Sequence, residues 1–531
     1  MQAQGGPRRG GTGWGGIVVF RTAELGRKVT KIEYKERAAA LRQALLESQN
    51  ALRHAGFPVI VLVSGVDGAG KGDAVNILNE WMDPRWMVSI AFDEPSGEEL
   101  ERPEYWRYWR ALPPKGQIGL LLSAWYSKPL VSRVYGGNDA ELEASLDEIA
   151  AFEKQLAEDG ALILKIWLHL GKDGQEKRFR RLERDPLQSW RVTERDWQNW
   201  HHYEQFVAAA ERIITRTSTG EAPWHIIEGQ DTRYANLRVG DLLLGAIQQR
   251  LEERAQESHA PANAVGPPVE VPDLSGQRAV TVLSSLDMTK KLARPEYRKL
   301  LATCQGRVNR LQKQARDQGV STLLVFEGPD AAGKGGAIRR VNSALDSRGV
   351  RVVPTAAPTD EERAQHYLWR FWRYLSRAGR VTIFDRSWYG RVLVERVEGF
   401  ASEKEWRRAY AEINRFEKQL VDHGIVLVKF WMHITPDEQL RRFKEREQTP
   451  YKRWKLTDED WRNRERWADY ELAAHDMVER TSTTVAPWIL ISANDKCHAR
   501  VEVLKQVCQA IEARVGGIED PPPTRKKKRK S

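Results

Sequence analysis

The residues best suited to chemistry in this chain stand together in one stretch, Gly328-Pro-Asp330-Ala-Ala-Gly333-Lys334-Gly335-Gly336. An apolar run, Thr322–Glu327, precedes it, and a helix-period segment, Ala337–Asp346, follows. A glycine-rich turn between strand and helix lets backbone N–H groups point inward as a cradle for anionic oxygens. The helix N-terminus adds positive potential, and Lys334 adds a point charge. Gly328, Gly333, Gly335 and Gly336 are therefore expected to bind phosphate. The usual phosphate loop has Ser or Thr after its lysine, to hold Mg²⁺; here Gly335 takes that place. Magnesium needs oxygen ligands. Asp330, inside the loop, is read as one. A second apolar run, Val381–Phe384, ends on Asp385, which is read as the other, and Arg386 and Arg391 follow at once. Arginine clamps phosphoryl charge through paired N–H donors. Arg339 and Arg340 lie one turn into the helix after the loop, and one of them should face the phosphate. Arg442, Lys444, Lys452 and Arg453 form basic clusters where a mobile lid would sit, and together could line a channel for a long polyanion.

These side chains need elements to hold them. Arg351–Pro354, Ile425–Ile434 and Trp488–Ile491 are further short apolar runs, and charged helical segments such as Glu403–Asp422 and Asp437–Glu447 lie between such runs. Continuous apolar strands alternating with helices predict a parallel sheet covered on both faces. Such sheets bind ligands at the carboxyl ends of their strands.

The pattern occurs twice. Lys71 precedes Lys334 by 263 residues, in Asp67-Gly-Ala-Gly-Lys71-Gly. Trp125-Tyr126 repeats as Trp388-Tyr389, Phe152–Leu156 as Phe416–Leu420, and Lys165–His169 as Lys429–His433. Arg216-Thr-Ser-Thr219 repeats as Arg480-Thr-Ser-Thr483. A period this long is a duplicated domain, not a solenoid. The expected division is a Gly-rich segment over 1–29, a degenerate domain over 30–255, a linker over 256–274, a catalytic domain over 275–515 and a basic disordered tail over 516–531. The first copy is degenerate because Leu122, Ser123, Lys128 and Ile77 stand where the second has Asp385, Arg386, Arg391 and Arg340.

Composition narrows the partners. The 531 residues carry 84 basic and 73 acidic side chains, a net +11, of which Arg525–Lys530 supplies six. A polyanionic partner is expected. The apolar runs are far shorter than the roughly 20 residues that cross a membrane. No apolar signal segment is seen at the N-terminus, and three cysteines make no disulfide framework. A cytoplasmic protein without a membrane partner is expected. Most of the 20 Trp are read as core packing.

The set GPDAAGKGGAIRR, FDRSWYGR, KFWMHI and ERTSTTVAPW resembles the polyphosphate kinase 2 family, and the fused pair resembles its two-domain polyphosphate:AMP phosphotransferases. The resemblance runs from about residue 30 to 515. It implies two tandem P-loop kinase-like α/β domains, each a mainly parallel five-stranded sheet flanked by helices, with a helical lid. It implies Mg²⁺-dependent transfer from inorganic polyphosphate to AMP, yielding ADP and a polymer one unit shorter. It carries catalytic roles onto Asp330, Lys334, Arg340, Asp385, Arg386 and Arg391. Transfer to ADP, an ATP-dependent nucleotide kinase and a non-enzymatic polyanion binder are the alternatives. Nucleic acid is not an expected partner, and homo-oligomerisation stays open.

Overall fold

The computed structural model describes residues 19–259, 281–449 and 456–517. The expectations for Lys452 and Arg453, for most of the N-terminal segment and the linker, and for nearly all of the tail lie outside them. The chain forms two compact units. One comprises Met1–Asp93 and Leu112–Ala260, the other Glu94–Ala111 and Pro261–Ser531. The second unit thus takes in Glu94–Ala111, a stretch that the repeat boundaries assign to the first copy. Within that unit Trp109 stacks on Trp372 with ring centroids 6.1 Å apart, and Glu101 pairs with Arg377.

The first unit holds a five-stranded sheet, β1 (Val59–Gly65), β2 (Met87–Ala91), β3 (Ile118–Leu122), β4 (Leu162–His169) and β5 (Trp224–Glu228), in the order β2-β3-β1-β4-β5. The second holds β6 (Thr322–Glu327), β7 (Val350–Pro354), β8 (Val381–Asp385), β9 (Val426–His433) and β10 (Trp488–Ser492), in the order β7-β8-β6-β9-β10. Every pairing is parallel, and the two orders are the same. The registers also agree: Val63 pairs with Leu122 as Phe326 pairs with Asp385.

The central strands are apolar throughout because both faces are covered. In the second unit Leu324 and Phe326 are fully buried, and Phe326 stacks on Phe430 at 5.0 Å. The helix Glu403–Asp422 starts at a capping box, in which Ser402 and Glu405 satisfy each other's backbone N–H. It buries Ala409, Ile413, Phe416 and Leu420, spaced three and four apart. Trp125, Trp372 and Trp388 are among the largest fully buried side chains, as the core reading expects, whereas Trp190 is exposed. Among the described residues no helix is long and apolar enough to cross a membrane.

Candidate active site

The loop after β6 turns on two glycines. Gly328 has φ 141°, and a Cβ there would lie 2.3 Å from the Met432 carbonyl oxygen, so only glycine fits between the strands. Gly333 has φ 106° and starts the loop helix, Lys334–Asn342. Ala331 and Arg386 hold left-handed backbones without being glycine, at φ 63° and 62°. Such strain collects at functional sites. A Cβ added at Gly335 would meet nothing within 4 Å, so sterics do not explain its missing hydroxyl.

Lys334 is buried, and its Nζ donates to the carbonyls of Gly328 and Pro329 at 2.5 and 3.3 Å. Burial, then the positive Arg386, pull its pKa down, while Asp330, Asp385 and Glu327 push it back up. Three carboxylates therefore surround this one ammonium. Asp330 accepts from Arg386 Nη2 on Oδ1 at 2.9 Å and from Asn463 Nδ2 on Oδ2 at 3.0 Å. Burial raises its pKa, but Lys334, Arg386 and these hydrogen bonds outweigh it, and the carboxyl sits below its ordinary value. Glu327 is raised by burial and accepts from the Ser387 hydroxyl at 2.8 Å. Asp385 ends β8 opposite Phe326, half-buried. Asp330 and Asp385 are hard oxygen donors, the ligand type a divalent metal takes. Among the described residues no group of three or more His, Cys, Asp or Glu is placed to hold a metal ion by itself.

Arg386 is half-exposed and ion-paired with Asp330. Arg340 donates to the Gly336 carbonyl at 3.1 Å, and Arg339 and Lys444 are exposed. Two expected site residues are otherwise engaged. Arg442 is buried, and all five of its N–H donors are used: on Glu438, on the Ala331 and Ala332 carbonyls, and on the Ala493 and Asn494 carbonyls. It laces the loop to the end of β10 and has no donor left for phosphate, which corrects its phosphate-binding assignment. Arg391 lies over the Tyr367 ring, 4.6 Å from its centroid, and pairs with Glu395 and Glu405.

Sequence reasoning missed Glu327, Gln439, Asn463 and His433. Gln439 donates to the Asp330 carbonyl at 3.1 Å. Gln175 and Asn199 make the same bonds to Asp67 in the first unit, so the repeat itself carried a signal for Gln439 and Asn463. Glu327 had the opposite signal, since the first copy has Ser64 there. A pocket open to solvent adjoins Asp330 and Arg386; Trp431, His433, Leu393, Val394, Trp467 and Tyr470 line much of it. The last two come from the helix Trp467–Thr481, and the helix before it, Asp458–Glu465, supplies Asn463.

A glycine-rich loop at the carboxyl edge of a parallel sheet, with a buried lysine, an arginine and carboxylates beside it, is the arrangement of a P-loop phosphotransferase. The chain belongs to the polyphosphate kinase 2 family, whose model matches residues 28–255 and 291–516. It is 50% identical to a polyphosphate:AMP phosphotransferase of Pseudomonas aeruginosa over 93% of this chain and 99% of that one. An ADP-polyphosphate phosphotransferase of Rhizobium meliloti is 40% identical over 44% of this chain and 82% of its own. A solved polyphosphate kinase 2 from Pseudomonas aeruginosa superposes with a TM-score of 0.82 at 47% identity, covering 94% of this chain and 100% of that one.

Proposed function

We propose that this chain moves a phosphoryl group from inorganic polyphosphate to AMP, at the loop of the second repeat. The observation that carries the reading is the two-repeat match along nearly the whole chain to a polyphosphate:AMP phosphotransferase, whereas the ADP-named relative spans 44% of it. The site supports the same chemistry. A phosphate monoester is already largely dianionic at neutral pH, since its second pKa is about 6. The attacking oxygen of AMP therefore needs no general base, and the work left is positioning and charge stabilisation. The loop N–H groups and Lys334 hold the donor phosphates. Arg386 swings from Asp330 onto the group in transit, where its paired donors stabilise developing charge. Asp330 stays ionised and fixes Arg386 and Asn463 together. The aromatic pocket takes the nucleoside and excludes water from the acceptor. Asp330 and Asp385 would hold Mg²⁺, which when bound neutralises phosphate charge.

The test is product analysis with Mg²⁺, supplying AMP or ADP as acceptor and polyphosphate or ATP as donor. ADP formed from AMP and polyphosphate is expected. Faster turnover with ATP as donor would overturn the reading.

A further inference from the structure

The loop helix does not end its charge at Lys334. The C-terminal helix, Lys496–Val515, packs beside it and brings Arg500 to its first turn. Arg500 Nη2 lies 3.3 Å, and Nε 3.6 Å, from the place a Gly336 Cβ would occupy. Glycine at 336 is what lets the guanidinium lie against the helix. Arg340 donates to the carbonyl of the same Gly336, so two guanidinium groups flank one residue. Arg339 stands exposed on the turn next to them. Among the described residues none of these three arginines has a carboxylate within salt-bridge distance. Like charges gathered without a carboxylate repel one another unless an anion joins them.

The first repeat lacks the whole group. Asp73 stands in place of Gly336, Asn76 of Arg339, Ile77 of Arg340 and Asn236 of Arg500. Asp73 is moreover paired with Arg191 at 2.8 Å. Three cations have gone and one anion has come, all at one seam. Charge scattered by chance over a surface would not be lost together with the loop chemistry.

We propose that Arg500 is a donor-chain contact, and that the polyphosphate leaves the loop along the seam between the loop helix and the C-terminal helix, held by Arg500, Arg340 and Arg339. This rests on polyphosphate being the donor. The inter-phosphate oxygens of an extended chain present repeating negative charge, which successive guanidinium groups match. The nucleoside pocket is lined by other residues, so Arg500 bears on the donor alone.

The experiment is steady-state kinetics of the full chain with sodium polyphosphate and AMP, comparing Arg500→Asn, the first repeat's residue, with Arg500→Lys. Arg500→Asn should raise the polyphosphate KM about tenfold, the effect of one charge-assisted contact. It should leave kcat within about twofold and the AMP KM unchanged, with Arg500→Lys recovering part of the loss. Arg500 is half-exposed and makes no hydrogen bond among the described residues, so thermal stability should not move. An unchanged polyphosphate KM in Arg500→Asn, or a shift in the AMP KM instead, overturns the proposal. A wild-type chain that does not use polyphosphate at all overturns the functional reading beneath it, a result visible before any variant is made.

Discussion

At the end of β3 stands Leu122; at the matching end of β8 stands Asp385. The next residue is Ser123 in one unit and Arg386 in the other, and both hold the left-handed backbone, at φ 51° and 62°. The first unit therefore keeps the bend after its side chain's chemistry has gone. The same holds across the loop. Asp67 still accepts from Asn199 at 2.8 Å, as Asp330 accepts from Asn463. Arg178 still laces the first loop, donating to the Gly68, Gly229 and Gln230 carbonyls as Arg442 does to its own. With no arginine at 123, the free oxygen of Asp67 takes Lys71 instead, at 3.0 Å. The lysine that would meet a phosphate is turned onto its own loop carboxylate. Ser64 and Ala124 replace the Glu327–Ser387 pair. Both units share the loop's scaffold; the aspartate and arginine after the strand and the Glu327–Ser387 pair occur only in the second.

The largest expected effect sharpens the scaffold half of this comparison. Lys429 and Glu417 form a fully buried pair at 2.7 Å, and Glu417 also accepts from Trp388 and Tyr389, the residues just past Arg386. Lys165, Glu153, Trp125 and Tyr126 repeat the network in the first unit. Removing one partner of a buried pair leaves a charge uncompensated, at about 3–5 kcal/mol. Glu417→Gln and Glu153→Gln should each destabilise their own unit by that much in chemical denaturation. Only Glu417→Gln should lower activity in the molecules that remain folded. Equal losses of activity would blur the line between scaffold and chemistry.

Next come the acidic residues. Asp330→Asn or Asp385→Asn should reduce kcat at least about 10²-fold, the scale of losing one electrostatic stabiliser. Asp67→Asn should leave it nearly unchanged. Activity surviving in both second-unit variants, or in excess EDTA, removes the metal role from these carboxylates.

The smallest effect concerns His433 on the pocket wall. Burial lowers its pKa to about 4, below the ordinary 6.5. The folded state prefers the neutral ring, so this contribution is complete above pH 6.5 and declines as pH falls toward 4. Between pH 7 and 5.5 the loss is about 1 kcal/mol. His433→Gln should remove that part of the acid sensitivity in denaturation curves taken at the two pH values. An unchanged pH dependence would show that the ring is not held neutral.

The sequence was most legible where periodicity or duplication spoke. The strand run Thr322–Glu327 and the helix Glu403–Asp422 have the expected bounds, because apolar runs and a capping box mark their ends. The loop, Asp330, Lys334, Asp385 and Arg386 come together as their motif spacing suggests. Contacts made across long separations were not legible. Nothing local in Arg442 says that its guanidinium turns back onto the Ala331 and Ala332 carbonyls, and nothing in Arg500 says that it reaches Gly336. Nor does the repeat period show that Glu94–Ala111 packs in the second unit, since that packing depends on aromatic stacking such as Trp109 on Trp372.

The account stands on the claim that one loop catalyses and the other does not. Paired substitution tests it most directly: Lys334→Ala and Lys71→Ala, each in the full chain, assayed with saturating AMP and polyphosphate after circular dichroism has shown both to be folded. Lys334→Ala should abolish turnover, and Lys71→Ala should leave kcat nearly intact. A loss of kcat in Lys71→Ala as deep as in Lys334→Ala would contradict the account, because the first loop would then be completing a working site without an Asp385 or an Arg386 of its own.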